Sequence, residues 1–192
     1  MWLFFLTMGD PAPVKRPIDE DWISRIAVGD MEALQRLYAA VGDSVYSFAL
    51  SLVRDPHDAE DVLQESFLRI CRAAADYRPQ GKPLAWVFTI VRHTAMDKHR
   101  QTARILPVEE VAVDVSDVAD ADDRLFLHAL LNRLSAEDRQ ILILHVAAGM
   151  KHREIAAVMA MPLGTVLSRY RRALNRLKTI AKEEALYDQQ AM

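Results

Sequence analysis

The sequence predicts an all-α protein of two small helical domains joined by an acidic linker, the second of them a helix-turn-helix domain. Three observations support this prediction. Only six of the 192 residues are glycine, too few for a sandwich or barrel rich in tight turns. Apolar residues recur at helical spacing behind capping signals. The formal charge of −3 is divided along the chain into one strongly acidic and one strongly basic segment.

Residues 1–18 are predicted as an N-terminal extension. The stretch Met1–Met8 is apolar, but it lacks a preceding basic segment and falls far short of the ~20 residues that cross a bilayer. We therefore expect neither a membrane anchor nor a signal peptide. Either the stretch is a non-native extension ahead of a true start at Met8, or it is a short apolar patch that docks on the fold.

Residues 19–104 are predicted as the first domain. Its helices are separated by pairs of residues that stop one helix or cap the next, and these pairs are Gly29-Asp30, Gly42-Asp43 and Asp55-Pro56. Four or five helices fit between these signals and the end of the domain.

Residues 105–122 are predicted as an extended linker. Between Arg104 and Arg124 the chain carries seven acids and neither lysine nor arginine, and Pro107 interrupts any helix. A sustained helical period is absent from this segment, so we expect an extended acidic connection between two helical domains.

Residues 123–182 are predicted as the second domain, and residues 183–192 as a C-terminal tail. From Arg124 to Lys182 eleven lysines and arginines stand against three acids, a net charge of +8. A capping-box-like sequence at Ser135 begins one helix, and Gly149 ends it. A short helix, a turn and a long helix follow.

The last two helices form a helix-turn-helix pattern, Lys151–Met159 followed by Thr165–Leu177. One face of the final helix is an apolar stripe of Val166, Tyr170, Ala173, Leu174 and Leu177. Another face carries hydroxyl and guanidinium groups at Thr165, Ser168, Arg169, Arg172 and Arg176. A solvated basic face is the plainer interpretation, but the short preceding helix and the local charge favour a recognition helix for the DNA major groove.

An acidic helix follows Asp55-Pro56. Its polar face carries Asp58, Asp61, Gln64 and Glu65, and its apolar face carries Ala59, Val62, Leu63, Phe67 and Ile70. Acids in a first turn are stabilised by the helix dipole, so a well-capped surface helix and a protein-docking face remain equally open. Catalysis or metal binding has no support, because no further ligand converges on these carboxylates at a recognisable spacing.

The segment Leu84–Arg100 combines an aromatic ring with cations on one helix. Its core stripe is Leu84, Val87, Phe88, Val91 and Ala95. The opposite face carries Trp86, Thr89, His93, Asp97 and Arg100, with Arg92 and Lys98 at its margins. Such a face suits single-stranded nucleic acid, in which bases stack on aromatic rings. Packing of Trp86 against a neighbouring helix is the simpler alternative.

The single cysteine, Cys71, cannot form an intrachain disulfide, and the six histidines are not placed at zinc-ligand spacing. Cys71 lies in an apolar helical pattern and is predicted to be a small buried hydrophobic residue. We expect a protein of the reducing cytoplasm without a metal site or cofactor.

Taken in order, these segments resemble the extracytoplasmic-function (ECF) sigma factors of the sigma-70 family. The residues that resemble sigma region 2 are Gly29-Asp30, Ala33, Leu37-Tyr38, Asp58-Ala59-Glu60-Asp61, Gln64-Glu65, Phe67, Gly81, Trp86, Arg92 and Asp97. Those that resemble region 4 are Ile155-Ala156, Gly164-Thr165-Val166 and Ser168-Arg169. The resemblance spans residues 19–182.

The resemblance implies a non-enzymatic transcription factor with three surfaces. A polymerase-binding surface would comprise Asp58, Asp61, Gln64 and Glu65. A surface that melts the minus-ten promoter element and captures an extruded base would comprise Tyr77, Arg78, Trp86, Thr89, Arg92, His93, Asp97, Lys98 and Arg100. A surface that reads the minus-thirty-five element as duplex would comprise Arg153, Thr165, Ser168, Arg169, Arg172 and Arg176.

The implied partners are core RNA polymerase, promoter DNA and an anti-sigma factor, with no insertion into a membrane. Four residues depart from the family pattern and put the promoter sequence in question: Pro83, His93, Lys151 and Leu167. Two rival hypotheses remain, a conventional operator-binding regulator and a metal-dependent recombinase or nuclease that uses the carboxylates of the acidic helix.

Overall fold

The structure is a computed structural model that describes residues 18–103 and 131–190. Both described ranges are helical and contain no β strand. Their seven α helices are α1 (Asp21–Ala27), α2 (Met31–Val53), α3 (Pro56–Ala73), α4 (Pro83–Ala103), α5 (Ala136–Val146), α6 (His152–Met159) and α7 (Leu163–Gln190). A short 3-10 turn, Ala74–Asp76, follows α3. The predictions for the N-terminal extension before Ile18 and for the acidic linker lie outside the described residues.

Capping side chains begin three of the helices where the sequence predicts them. The carboxylate of Asp30 accepts hydrogen bonds from two backbone N–H groups at the start of α2. Asp55 accepts from the N–H of Asp58, with Pro56 in the first turn of α3. The hydroxyl of Ser135 accepts from the N–H of Asp138 at the start of α5. Each cap satisfies a donor that the helix itself leaves unpaired.

The prediction of a helix break at Gly42-Asp43 is wrong. Helix α2 runs without interruption from Met31 to Val53, and Gly42 is buried within it. A Cβ at position 42 would lie 3.4 Å from the ring of Tyr38 one turn earlier. A mid-helix glycine costs only about 1 kcal/mol relative to alanine, so the burial of α2 on its neighbours outweighs it.

The first domain is built on the mutual packing of α2, α3 and α4, with α1 against α2. Its core includes Phe48 and Phe88, whose rings meet edge to face at 5.6 Å. Four of the five predicted core positions of α4 are buried, and Leu84 is half-buried. Cys71, predicted to be a small buried hydrophobic residue, is half-buried and packs against this core. This core fixes the polar face of α3 beside the outer face of α4, which is the face opposite the core stripe and carries Trp86, Thr89, His93, Asp97 and Arg100.

The second domain packs α5 and α6 against α7. The predicted stripe on α7 is buried throughout, from Val166 to Leu177. Tyr170 belongs to this stripe, and its ring lies 4.8 Å from the rings of both His145 on α5 and His152 on α6. These ring contacts set α7 against the two preceding helices. Helix α7 then continues to Gln190, so residues 183–190 of the segment that the sequence predicts as a tail are helical.

The two domains pack directly on each other. Helix α5 of the second domain lies on α2, and α6 lies on α4. At this interface Gln140 Nε2 donates to the backbone carbonyl of Ser51 at 3.5 Å, and both residues are buried. The neighbouring Arg139 is buried as well, and burial lowers the pKa of its guanidinium. Helix α5 is therefore enclosed on nearly every side, as its apolar run of residues on both faces requires.

Candidate nucleic-acid interface

The loop between the 3-10 turn and α4 brings an aromatic side chain to Trp86. The rings of Tyr77 and Trp86 are tilted against each other with centroids 4.8 Å apart. Both side chains are half-buried, whereas Arg78 beside them is exposed. Trp86 thus packs on a residue of the preceding loop, where the simpler alternative had a neighbouring helix, and it remains partly exposed.

The carboxylate of Glu20 holds this loop. Its Oε1 accepts from the hydroxyl of Tyr77, from the N–H of Gln80 at 2.9 Å and from the N–H of Gly81 at 3.1 Å. The hydrogen bond from Tyr77 is the main reason why the pKa of Glu20 lies below its ordinary value. Burial and the adjacent carboxylate raise the pKa of the Tyr77 hydroxyl. The proton thus stays on the tyrosine and the charge on the glutamate.

The outer face of α4 borders an open cavity of about 430 Å³. Its lining includes four of the predicted minus-ten residues, Arg92, His93, Asp97 and Arg100, together with Arg69 and Met96. The structure therefore brings these four side chains together. Thr89 differs, because its hydroxyl donates to the carbonyl of Ala85 within the same helix at 2.7 Å. A hydroxyl used in this way can only accept a further hydrogen bond from a ligand.

Two of the predicted polymerase-binding acids are paired with a lysine from α4. Lys98 Nζ lies 3.1 Å from a carboxylate oxygen of Asp58 and 2.8 Å from one of Asp61. The hydrogen bond between Lys98 and Asp61 lowers the pKa of the Asp61 carboxyl and raises the pKa of the Lys98 ammonium. The Asp61 side chain is nevertheless 62 % exposed, and Gln64 is exposed beside it. The polar face of α3 and the outer face of α4 are therefore joined by one ion-pair cluster.

Arg69 makes a second connection between the same two helices. Its Nε donates to Glu65 at 3.0 Å along α3, and its Nη1 donates to Asp97 on α4 at 2.8 Å. The hydrogen bond from Arg69 is the largest cause of the lowered pKa of Asp97. Asp97 also lies 3.8 Å from Arg100. Its carboxylate is thus fixed between two arginines at the edge of the cavity.

An apolar groove of about 420 Å³ borders α2 and α3, lined by Leu34, Gln35, Tyr38 and Phe67. The rings of Tyr38 and Phe67 lie 4.9 Å apart, and Tyr38 is 50 % exposed. Leu68, next to Phe67 on α3, is also half exposed. Apolar side chains exposed in a cluster are typical of an interaction surface.

The predicted minus-thirty-five residues divide into exposed and engaged groups. Arg153, Ser168, Arg172 and Arg176 are exposed, and Thr165 is half-buried. The hydroxyl of Ser168 donates to a backbone carbonyl one turn earlier at 2.9 Å. Along α7, therefore, most of the predicted guanidinium groups are open to solvent.

Arg169 departs from the outward orientation that the sequence predicts. Its Nη1 donates to Asp138 on α5 at 3.0 Å, and its Nη2 is paired with Glu137. The Asp138 side chain is only 8 % exposed and that of Arg169 only 24 %. The guanidinium therefore ties α7 to the start of α5 instead of extending into solvent, because two acids in the first turn of α5 face it.

Glu20 and Arg69 were absent from the sites predicted from sequence, as was the apolar groove. The spacing of Glu65 and Arg69, one helical turn apart, is a local signal that could have revealed their pairing. The contacts of Glu20 with residues 57 to 61 positions later have no such signal.

Two structural findings bear on other classes of function. Neither described range contains a helix that is long and apolar enough to span a membrane. The described side chains also form no group of three His, Cys, Asp or Glu residues that could hold a metal ion.

The fold and the exposed side chains together define a two-domain helical protein. Its second domain contains a helix-turn-helix, α6 and α7, and its first contains a helix, α4, that carries an aromatic ring and several cations. The family description Sigma-70 region 2 matches residues 37–105, and Sigma-70, region 4 matches residues 126–177. The chain is 32 % identical to the ECF RNA polymerase sigma factor SigE of Mycolicibacterium smegmatis, over 83 % of this chain and 71 % of that protein. It is 32 % identical to the ECF RNA polymerase sigma factor SigD of Mycobacterium tuberculosis, over 81 % of this chain and 80 % of that protein.

Solved structures agree with these relatives. The sigma factor RpoE from Bartonella quintana, in complex with the anti-sigma factor NepR, superposes with a TM-score of 0.64 at 28 % identity, over 77 % of this chain and 96 % of that one. CnrH, in complex with the cytosolic domain of CnrY, shares the fold with a TM-score of 0.62 at 24 % identity, over 87 % of this chain and 99 % of that one. The chain belongs to the sigma-70 family, and within it to the ECF sigma factors.

Proposed function

We propose that the three surfaces act as the family resemblance implies, in a factor that directs core RNA polymerase to promoters. The observation that carries the proposal is the outer face of α4, where Trp86, packed on Tyr77 of the preceding loop, and a cavity lined by arginines lie along one helix. Stacking on Trp86 and Tyr77 and charge from Arg92 and Arg100 are what a melted DNA strand requires. Catalysis then belongs to the polymerase, and the chain acts in the cytoplasm.

The polymerase surface is the polar face of α3 extended by the apolar groove. Asp61 and Gln64 are exposed there, and Tyr38 and Leu68 add apolar area nearby. An interface with an apolar centre and charged margins gains affinity from burial and specificity from charge. The groove extends the surface predicted from sequence, which contained acids and a glutamine alone.

The proposed function requires the two domains to separate. The minus-ten and minus-thirty-five elements lie about 85 Å apart along duplex DNA, at about 3.4 Å for each of about 25 base pairs. A single compact body of about 150 residues has a radius of gyration of about 15 Å. With α6 packed on α4, the two DNA-binding faces cannot contact both elements at once.

Control by an anti-sigma factor is part of the proposal. The solved structure of RpoE from Bartonella quintana contains such a factor. A partner that holds the packed arrangement of the two domains would keep both DNA-binding faces from the promoter.

Transcription in vitro tests the proposed function. With this chain as the only factor added, core RNA polymerase should make transcripts that start at defined positions, located by mapping the RNA 5′ ends. An operator-binding regulator would yield no factor-dependent start, and that result would refute the proposal. Asp61→Asn should weaken binding to core enzyme, whereas Asp43→Asn, an exposed acid of α2 outside the predicted surface, should not.

A further inference from the structure

Glu20 stands at the start of α1 but does not cap it. Its side chain makes no hydrogen bond to the first turn of α1. Asp19 makes the local contact instead, since its carboxylate accepts from the N–H of Asp21 at 3.0 Å. The Glu20 carboxylate is directed across the domain to the loop before α4. A helix-capping role therefore does not account for it.

The loop that Glu20 contacts has little other order of its own. Residues 78–82 are exposed and belong to no helix, and Gly81 adopts a positive φ of 67°. Gln80 and Gly81 both direct their N–H groups at the Glu20 carboxylate. Backbone N–H groups that converge in this way bind a carboxylate well, because its charge strengthens each hydrogen bond.

The same carboxylate also fixes the ring beside Trp86. The Tyr77 hydroxyl donates to Glu20, so one side chain sets both the backbone of the loop and the orientation of this ring. The Tyr77 ring in turn lies against Trp86. Without Glu20, the loop and its ring would have to be ordered by the ligand, and that ordering would oppose binding.

We propose that Glu20 is a positioning residue for base capture, holding the Tyr77–Gly81 loop and the Tyr77 ring in the conformation that receives an extruded minus-ten base. This inference rests on the proposed function. Glu20 lies outside the residues that match Sigma-70 region 2, which begin at residue 37. It touches no part of the DNA itself and acts through the loop.

The test follows promoter opening with the full chain and core RNA polymerase, by the fluorescence of 2-aminopurine placed in the minus-ten element. Glu20→Ala should reduce the opening rate roughly tenfold and reduce discrimination among bases at the captured position, since stacking of the base loses its fixed platform. Affinity for core enzyme should stay at the wild-type value. Glu20→Gln, which keeps an acceptor oxygen, should recover part of the rate.

Asp19→Ala is the matched control, because it removes the adjacent carboxylate, which contacts α1 and not the loop. It should open the promoter at the wild-type rate. Base discrimination unchanged in Glu20→Ala would overturn the inference, and so would a parallel loss of core binding, which would indicate a purely structural role. Failure of the proposed function is distinct, since then the wild-type protein would open no promoter.

Discussion

The α4 face of the first domain and the α7 face of the second are both cationic, but Lys98 on α4 is held differently from Arg172 and Arg176 on α7. On α4, Lys98 lies between Asp58 and Asp61. On α7, Arg172 and Arg176 are exposed to solvent. On the proposed function, DNA phosphates would compete with Asp58 and Asp61 for Lys98, whereas Arg172 and Arg176 are open to phosphates or bases directly. The proposed DNA-binding face of α4 and the proposed polymerase-binding face of α3 therefore share the same ion pairs.

The largest expected effect on transcription comes from locking the two domains together, so that the α4 and α7 faces cannot separate. A cysteine pair at Ser51 and Gln140, in a Cys71→Ser background, is placed across the contact between α2 and α5, and its disulfide forms in those chains whose two Cα atoms come within about 7 Å. Oxidation should reduce promoter-dependent transcription to the fraction of chains that remain uncrosslinked, and a reductant should restore it. Electrophoretic mobility measures that fraction, and the two single-cysteine variants serve as controls. Equal transcription by the oxidised and reduced protein would show that separation of the domains is unnecessary.

Arg169 and Arg172 should differ although both lie on α7. Arg172→Ala should weaken binding to the upstream element by about 1–3 kcal/mol if its contact is bidentate to guanine, with unchanged thermal stability. Arg169→Ala should also destabilise the second domain by about 1–3 kcal/mol, because it leaves the largely buried Asp138 without its partner. Binding isotherms and thermal unfolding of the same samples separate the two effects. Equal stability of the two variants would contradict the tie between α5 and α7.

Lys98 provides a smaller and more specific test of the competition on α4. Asp61→Asn removes one competing carboxylate, so single-stranded minus-ten DNA should bind at most a few-fold more tightly, because an exposed ion pair is weak. Lys98→Gln should bind more weakly and with a salt slope lower by about 1. The double variant should match Lys98→Gln. Measurements use saturating core polymerase. Tighter DNA binding by the double variant than by Lys98→Gln would rule out competition between Asp61 and DNA phosphates for Lys98.

The smallest expected effect is the pH dependence of the stability that the Lys98–Asp61 ion pair contributes. Because Lys98 lowers the pKa of Asp61 in the folded chain, the stabilisation is complete above the unfolded pKa of about 3.9 and is lost as pH falls through the lower folded value. Thermal unfolding of wild type and Asp61→Asn should therefore differ at pH 7 and converge as the pH falls below the unfolded pKa of about 3.9. A difference that grows on acidification would have the wrong sign for this pair.

Local sequence determined much of this protein. The caps at Asp30, Asp55 and Ser135 and the apolar stripe of α7 depend on residues within one or two helical turns, so spacing alone predicts them. The division into an acidic and a basic segment is equally visible from composition. The order of the motifs, in which the acidic helix precedes Trp86 and the helix-turn-helix, was enough to indicate the sigma family.

Tertiary structure decided the rest. The contacts of Arg69 with Asp97 and of Lys98 with Asp61 join residues 28 and 37 positions apart, and those of Glu20 reach farther still. Such contacts depend on how whole helices pack, which no local period encodes. The continuity of α2 through Gly42 has the same origin, because burial summed over a helix exceeds the small local preference of one residue. The packing of α5 on α2 was likewise decided there, since the apolar run of α5 predicts burial but not the surface that covers it.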